Sequence, residues 1–285
     1  MIPNWNDGGK CPPRLVCCLS ELSIDGMRIP GDSDILDNIR AAGYEGIQVG
    51  DRLDEAVRER CRELKLMVTG SGRVNFPADA GEVARRMVES GITCGTLHVG
   101  WGMEDERDAG ELMEAVGLAS DKYKIPLYVE THRATVFQDL WRTVQLLKAW
   151  PAIRVNGDFS HWYTGLEMVY GGFEKKLEFI APVMDRVAFL HGRIGNPGCM
   201  QVNIGEGEEK DQSYVTHFRT MWTAAMRGFL ARAKAGDVLP FAAELLSPCI
   251  FYARSFGGKE ESDRWKQSLV LCRIARECFA AAERG

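Results

Sequence analysis

The chain has 285 residues, of which 45% are hydrophobic and 26% charged, and 40 acidic against 35 basic residues give it a formal net charge of -5. This composition is typical of a globular protein with a substantial core and excludes a disordered chain. The acidic balance, without any Lys- or Arg-rich run, argues against nucleic-acid binding and favours a small polar substrate.

Eight short apolar runs recur along the chain and predict eight strands. In chain order they are Leu15 to Leu19, Gly46 to Val49, Leu66 to Thr69, Thr96 to Val99, Pro126 to Val129, Ile153 to Asn156, Val187 to Leu190 and Leu239 to Ala243.

Segments with apolar residues at three- and four-residue steps lie between these runs and predict helices. Two of them have a polar residue before the pattern and a glycine after it, as helix ends often do. The helical segments follow Ser33 and Asp79, and cover 54–64, 105–122, 138–150, 173–185, 214–235 and 260–282.

The alternation of strand and helix predicts a parallel sheet built from βαβ units. Eight units in 285 residues match an α/β fold, the closed (β/α)8 TIM barrel, as one domain over residues 1–285. A doubly wound open sheet has the same alternation, but a Gly-rich phosphate-binding turn usually follows its first strand. Here Ser20 to Ser23 follow that strand, so the barrel is the favoured fold.

Four of the five histidines fall at or just after the ends of predicted strands. They are His98, His132, His161 and His191, whereas His217 lies in a predicted helix. In a TIM barrel the carboxyl ends of the strands and the loops after them form the active-site face. The sequence therefore places four imidazoles on that face.

Three carboxylates join them, because Glu130 and Glu244 directly follow the fifth and eighth predicted strands and Asp158 lies two residues after the sixth. A charged residue at the end of a buried strand is costly unless it is paired or binds a cation. With His191, these acids predict a site for one divalent metal ion. This oxygen-rich set of ligands favours Mn²⁺ first and then Mg²⁺ or Co²⁺, and Zn²⁺ stays an alternative. The alternative is that each acid caps the helix after it.

The order Glu130, Asp158 with His161 three residues later, His191 and Glu244 resembles the xylose isomerase-like TIM-barrel superfamily of sugar and sugar-phosphate isomerases and epimerases. The resemblance covers nearly the whole chain. It implies that the acids and His191 bind one divalent metal ion and that His161 contacts the substrate.

In these enzymes an arginine some residues after the seventh strand also binds substrate. The resemblance points to Arg193 here, although it lies only two residues after His191. Residues two apart on a strand face the same side, which also favours a position toward the pocket. The alternative for Arg193 is a salt bridge to an acid at the barrel mouth.

Other side chains near the strand ends are candidates for substrate contact. His132 shares the side of Glu130, and Trp101 and Trp162 could pack on the apolar face of a sugar ring. His98 completes this predicted substrate-binding set. The alternatives are an orienting role of His132 toward Glu130 and an interior position for His98.

A metal ion chelated by neighbouring carbonyl and hydroxyl oxygens of a sugar acidifies the C–H between them. With Glu130 and Glu244 as catalytic bases, the predicted function is a divalent-metal-dependent isomerase or epimerase of a sugar or sugar derivative. Two bases on opposite faces permit epimerisation, whereas one base moving a proton between adjacent carbons gives isomerisation.

Two other functions stay open on the same residues. The first is a metal-dependent lyase or dehydratase acting on a keto-sugar, keto-inositol or ketoglycoside, because loss of a β-oxygen substituent can follow proton abstraction. The second is a non-catalytic barrel that binds a sugar.

Abasic-site DNA endonucleases share this barrel and four of the ligands, and His98 looks like one of their extra histidines. The third predicted strand ends at Val68 to Ser71 without a histidine, and the loop after the seventh strand lacks their DxH pair. A nuclease is therefore a minor alternative.

The nine cysteines include no CxxC pair, and most lie in apolar or helical patterns, so we expect free thiols in a reducing compartment. No apolar stretch approaches 18 residues and the first 13 residues do not resemble a signal peptide, so a cytoplasmic location without a membrane partner is expected. The family resemblance suggests a homodimer or homotetramer.

Overall fold

Eight parallel strands close into a barrel in the computed structural model of the chain, which describes residues 1–207 and 212–285. Each strand pairs in parallel with the next, and the last pairs with the first. A two-residue strand, β1 (Trp5–Asn6), precedes the barrel. The barrel strands are β2 (Arg14–Ser20), β3 (Gly46–Val49), β4 (Met67–Val74), β5 (Gly95–Val99), β6 (Leu127–Glu130), β7 (Val155–Gly157), β8 (Val187–Gly192) and β9 (Asp237–Ala243).

Helices follow the strands as the alternation predicts, so the (β/α)8 TIM barrel is confirmed. The helices are α1 (Glu21–Ile24), α2 (Ile35–Ala41), α3 (Glu55–Glu63), α4 (Pro77–Glu89), α5 (Glu106–Tyr123), α6 (Leu140–Ala149), α7 (Phe159–Gly165), α8 (Phe173–Phe179), α9 (Ala181–Met184), α10 (Ser213–Leu230) and α11 (Arg264–Glu283). That residues 1–285 form one domain stays a prediction.

Aspartate is the N-cap residue of many of these helices. Asp34, Asp54, Asp105, Asp139 and Asp263 each accept a hydrogen bond from a backbone N–H in the first turn of the helix that follows. These N–H groups have no partner within the helix, and a carboxylate also complements the positive end of the helix dipole. Part of the chain's acidity therefore serves its helix ends.

Two predicted helices are corrected by the structure. The segment 173–185 divides into α8 and α9, because Pro182 has no N–H to donate into a continuing helix. The last helix begins at Arg264 instead of Glu260, because Lys259–Glu260 pairs with Ser255–Phe256 in a short hairpin.

The third barrel strand is also longer than predicted. The apolar run ends at Thr69, whereas β4 continues to Val74 through Gly70 and Gly72. A Cβ at Gly72 would lie 2.6 Å from Val83 on α4. The glycines therefore let the helix pack closely on the strand, and they also hide the strand from a hydrophobic pattern.

The amino-terminal residues close the barrel at the end where the strands begin. β1 pairs antiparallel with the start of β9, and the N–H of Trp5 donates to the Tyr128 hydroxyl at 2.9 Å. Asn4 donates to Asp237 at 2.8 Å. This end is filled by structural contacts, which leaves the opposite end for a site.

Across residues 1–207 and 212–285, no helix has the length and apolar character needed to cross a membrane. All nine cysteines lie within these residues as free thiols. The acidic run Glu206 to Asp211, which we interpret from sequence as a solvated loop, falls mostly outside them.

Candidate metal centre and active site

The residues predicted to bind a metal ion come from four consecutive barrel strands. Glu130 is the last residue of β6, His191 lies near the end of β8, and Glu244 directly follows β9. Asp158 stands between β7 and α7. Parallel strands bring their carboxyl ends to one rim, so these side chains meet although up to 114 positions separate them in sequence.

Three carboxylates surround the imidazole of His191. Its Nδ1 lies 3.4 Å from Glu130 Oε2, 3.6 Å from Glu244 Oε2 and 3.9 Å from Asp158 Oδ2. All four residues are buried. Neither ring nitrogen of His191 has a hydrogen-bond partner within the described part of the chain. A buried nitrogen without a partner, facing three carboxylate oxygens, is a donor set that fits a divalent cation.

The charges of this cluster also fit a divalent ion. Arg193 is 1% exposed and its guanidinium contacts the Asp158 carboxylate and, at 3.2 Å, that of Glu244. With Glu130, three carboxylates and one guanidinium leave two negative charges inside the barrel mouth. One divalent ion would balance them if His191 is neutral, as a metal ligand must be.

The pKa values show how strongly these groups interact. Burial alone would lower the pKa of His191, but Glu244 and Glu130 raise it to about 9. Burial alone would raise the pKa of Glu130, whereas His98 and His191 lower it well below its ordinary value. Arg193 has the same effect on Asp158, whose pKa falls despite burial. Glu130 and Asp158 are therefore ionised at neutral pH and available as ligands.

The two oxygens of Asp158 make different contacts. Its Oδ1 accepts from the Ser160 N–H at 3.1 Å and from the Ser160 hydroxyl, which caps α7. Its Oδ2 faces Arg193, His161 and His191. The helix-capping and cluster roles are therefore not alternatives, since each uses a different oxygen.

The predicted position of Arg193 toward the site is matched by its contacts. Besides the two acids, it donates from Nε to the Ser160 hydroxyl at 3.0 Å and lies 3.2 Å from His161 Nε2. The salt bridge that sequence left as an alternative is what this structure contains. A contact with substrate stays a prediction for Arg193 and for His161.

Three imidazoles form a column along one side of the site. The ring centroids of His98 and His132 are 4.2 Å apart, and those of His132 and His161 are 3.7 Å apart. Burial, followed by the neighbouring His161, lowers the pKa of His132 to about 3, so this ring is neutral. The pKa of His98 is raised, since Glu130 outweighs the opposing effect of burial.

Glu130 is held from two sides. Its Oε1 lies 3.1 Å from His98 Nε2, and its Oε2 accepts from the Asn156 amide at 3.0 Å. Strand register explains both contacts. On one side, Glu130 pairs with Asn156 on β7. On the other side, the residue before Glu130 pairs with the residue before His98 on β5, which places His98 next to Glu130. The Nδ1 of His132 instead hydrogen-bonds the backbone carbonyl of Arg133. The side chains that orient Glu130 are therefore His98 and Asn156, and not His132.

One predicted substrate contact is corrected. Trp162 is 0% exposed, and its Nε1 donates to the Phe137 carbonyl at 2.8 Å. The indole packs in the core beside Phe159 and presents no face to a sugar at the mouth. Trp101 differs, because it is 48% exposed and Arg73 lies over its ring at 4.8 Å. Its predicted role in substrate binding stays open to test.

Two residues near these groups, Arg73 and Tyr252, are not predicted from the sequence. Arg73 was hidden because the predicted strand stopped at Thr69, although β4 continues and Arg73 pairs in register with His98. Tyr252 comes from the loop after β9, with Arg193 over its ring at 4.7 Å. No local pattern marks it, since only the folded loop brings it to the site.

No protein-family model matches the sequence, and no curated protein is detectably similar to it. Solved structures are similar. An L-ribulose 3-epimerase has 11% sequence identity and a TM-score of 0.57, with 94% of this chain and 95% of that one covered. The probable 3-DHS dehydratase AsbF of petrobactin synthesis from Bacillus anthracis has 12% identity and a TM-score of 0.55, with 91% and 97% covered.

A third structure is a xylose isomerase-like TIM barrel protein from Mycobacterium smegmatis in complex with magnesium. It has 14% identity and a TM-score of 0.55, with 95% of this chain and 98% of that one covered. At such identities the likeness concerns the fold. The chain therefore has the fold of the xylose isomerase-like TIM barrels, the superfamily that its strand-end residues resemble.

Proposed function

We propose that the protein is a divalent-metal-dependent isomerase or epimerase of a sugar or sugar derivative. The observation that carries the proposal is the convergence of the Glu130, Asp158 and Glu244 carboxylates on the unpartnered imidazole of His191. A divalent ion on these four residues, most simply Mn²⁺ with Mg²⁺, Co²⁺ and Zn²⁺ as alternatives, would acidify a C–H next to a chelated carbonyl group.

The remaining chemistry belongs to the side chains of the chain. One carboxylate oxygen of Glu130 or Glu244 takes the proton from carbon, and the C–H electron pair moves toward the carbonyl oxygen to give an enediolate. If the other glutamate returns a proton to the opposite face of the same carbon, the product is an epimer. If a proton returns to the neighbouring carbon, the product is an isomer.

Neighbouring side chains orient the two glutamates for this work. Asn156 and His98 fix Glu130, while the guanidinium of Arg193 lies 3.2 Å from Glu244. We propose that Arg193 and His161, which contact each other at 3.2 Å, hold a substrate oxygen and stabilise the negative charge that develops on it.

The test uses product analysis in deuterated water with a panel of aldoses, ketoses and their phosphates. We expect solvent deuterium at one carbon, formation of an epimer or isomer, and loss of activity after metal chelation. Glu130→Gln and Glu244→Gln should each reduce turnover by about 10²–10⁴-fold, the usual contribution of a general base. Glu82→Gln on the exposed face of α4 is the control and should leave turnover unchanged.

The dehydratase among the similar structures favours one second candidate, a metal-dependent lyase acting on a keto-sugar or keto-inositol. Both reactions begin with the same proton abstraction, so the product distinguishes them: loss of water or of a glycosyl group identifies the lyase. A chain that binds no stoichiometric divalent ion and exchanges no deuterium would overturn both enzyme proposals and leave a sugar-binding barrel.

A further inference from the structure

We propose that the substrate is a sugar acid and that Arg133 binds its carboxylate, at the end of the molecule that projects from the metal centre. The inference rests on the proposed function and names the class of sugar derivative that the site takes. It is carried by the place of the Arg133 guanidinium at the barrel mouth, by the hydrogen bonds that hold the loop around it, and by the charge of the site.

Tyr252 connects Arg133 to the groups of the candidate active site. Arg133 follows β6, three residues after Glu130, whereas Tyr252 comes from the loop after β9. The Arg133 guanidinium lies over the Tyr252 ring at 5.3 Å, and that of Arg193 lies over the same ring at 4.7 Å. The ring of His161 meets Tyr252 edge-on at 6.5 Å. Arg133 is therefore one aromatic ring away from the arginine that contacts the buried acids.

The backbone around Arg133 is fixed by hydrogen bonds. His132 Nδ1 donates to the Arg133 carbonyl at 2.5 Å, and the Thr135 hydroxyl donates to the His132 carbonyl at 2.6 Å. Ala134 has a φ of 53°, in the left-handed region that residues other than glycine rarely adopt and that is commoner at functional sites. The loop therefore presents Arg133 in a set position, which reduces the entropy lost when a ligand binds.

The guanidinium of Arg133 is exposed and has donors to spare. It pairs with no carboxylate and donates no hydrogen bond within the described part of the chain. Arg73, also exposed at this end of the barrel, differs because it donates to the Gly100 carbonyl at 3.2 Å. Arg193 Nη1 is a buried donor that likewise lacks a partner among the described residues. The surroundings of Tyr252 therefore offer N–H groups to an anion, as the active-site face of a barrel can.

The charge of the site favours a carboxylate over a phosphate ester. With one divalent ion bound, the three carboxylates and Arg193 are neutral together, so Arg133 adds one positive charge. A carboxylate has one negative charge and accepts two parallel hydrogen bonds from a guanidinium. A phosphate ester has about −1.5 to −2 charges at neutral pH and would leave an excess. A sugar acid therefore balances the mouth of the site.

The experiment compares molecules that differ only at one terminal carbon, away from the carbonyl group. Isothermal titration calorimetry of the full chain loaded with Mn²⁺ measures the affinities of D-fructose and D-glucose, of D-fructuronate and D-glucuronate, and of the phosphate esters at the same carbon. We expect an acid to bind about 10- to 100-fold more tightly than its parent sugar, as one charge-assisted contact allows. In Arg133→Gln the ratio should fall nearly to one.

Two further variants make the ratio specific to the guanidinium. Arg133→Lys should retain part of the preference, because lysine keeps the charge but not the planar fork. The control is Arg85→Gln on α4, whose guanidinium pairs with Glu82 and Glu89, and it should keep the full ratio. Because the ratio is taken within one variant, a smaller folded fraction does not change it.

Equal affinity for sugar and acid, failure of both acids to bind, or a preference that Arg133→Gln retains would overturn the inference. Tighter binding of the phosphate esters than of the acids would also overturn it, since the substrate would then be phosphorylated. The proposed function is read separately, from bound metal and deuterium exchange in the natural sequence. Exchange without a preference for the acid leaves the proposed function intact, whereas absence of both metal and exchange overturns it together with this inference.

Discussion

Replacing Arg193 by methionine removes the guanidinium that contacts both Asp158 and Glu244. Methionine retains much of the apolar volume but has neither the charge nor the hydrogen-bond donors of the guanidinium. In metal-free protein the two buried carboxylates then lose their guanidinium partner, and His191 stays near both of them, at 3.9 Å from Asp158 and 3.6 Å from Glu244. We therefore expect Arg193→Met to destabilise the metal-free fold strongly.

The magnitude follows from the burial of the contacts. Removing one member of a buried ion pair destabilises a protein by about 3–5 kcal/mol, because the remaining charge stays buried and unpaired. Arg193 is 1% exposed and serves two acids, so we expect the free energy of unfolding to fall by about 4–5 kcal/mol. An exposed ion pair contributes no more than about 1 kcal/mol.

Denaturation of metal-free protein in urea, followed by circular dichroism, measures this loss as a shift of the midpoint at constant slope. Arg85→Met on α4 is the matched control, since Arg85 pairs with two exposed glutamates. In Arg193→Met/Asp158→Asn one unpaired charge is gone, so part of the stability should return. A loss below about 1 kcal/mol, or one equal to the control, would refute the reasoning.

Three further outcomes follow. His217 stacks on Phe173 at 3.8 Å, and burial lowers its pKa below the ordinary value of 6.5. Stability should therefore decline as the pH falls below 6.5, and it should decline more steeply than in His217→Gln. Superimposable stability curves between about pH 5 and 8 would contradict this. In Gly192→Ala the new methyl would lie 2.4 Å from the Phe241 ring, so thermal unfolding should show a loss of about 1–3 kcal/mol, partly restored by Phe241→Leu. At Gly117 in α5, an added Cβ would meet no atom within 4 Å apart from the backbone of its own helix, so Gly117→Ala should raise the free energy of unfolding by about 0.5–1 kcal/mol. A lower free energy of unfolding would contradict this reasoning.

The fold and the convergence of four side chains could be predicted from the sequence because both depend on strong local signals. Buried parallel strands are short apolar runs on which a charged residue is unusual, so Glu130 and His191 stand out against LYV and AFL. Once the barrel is assumed, strand ends share a rim. Pairwise proximity then follows from topology without any knowledge of distances.

Other features could not be predicted because they depend on packing between distant segments. Gly70 and Gly72 interrupt the hydrophobic pattern of β4, so Arg73 falls outside the predicted strand. Trp162 follows His161 in sequence, but the helical turn at that point directs its indole into the core, where Phe137 supplies a hydrogen-bond acceptor. Adjacent positions on a helix face different sides, which a sequence position alone does not reveal.

Asp158 joins the site to the start of a helix, and this has a consequence for how the site can be observed. The N–H of Ser160 donates to one carboxylate oxygen, while the other oxygen faces Arg193 and the imidazoles. A cation that draws the carboxylate toward His191 must change how tightly that N–H is held. The hydrogen-exchange rate of one amide in α7 therefore becomes a signal of ion occupancy that needs neither a substrate nor a spectroscopically active metal.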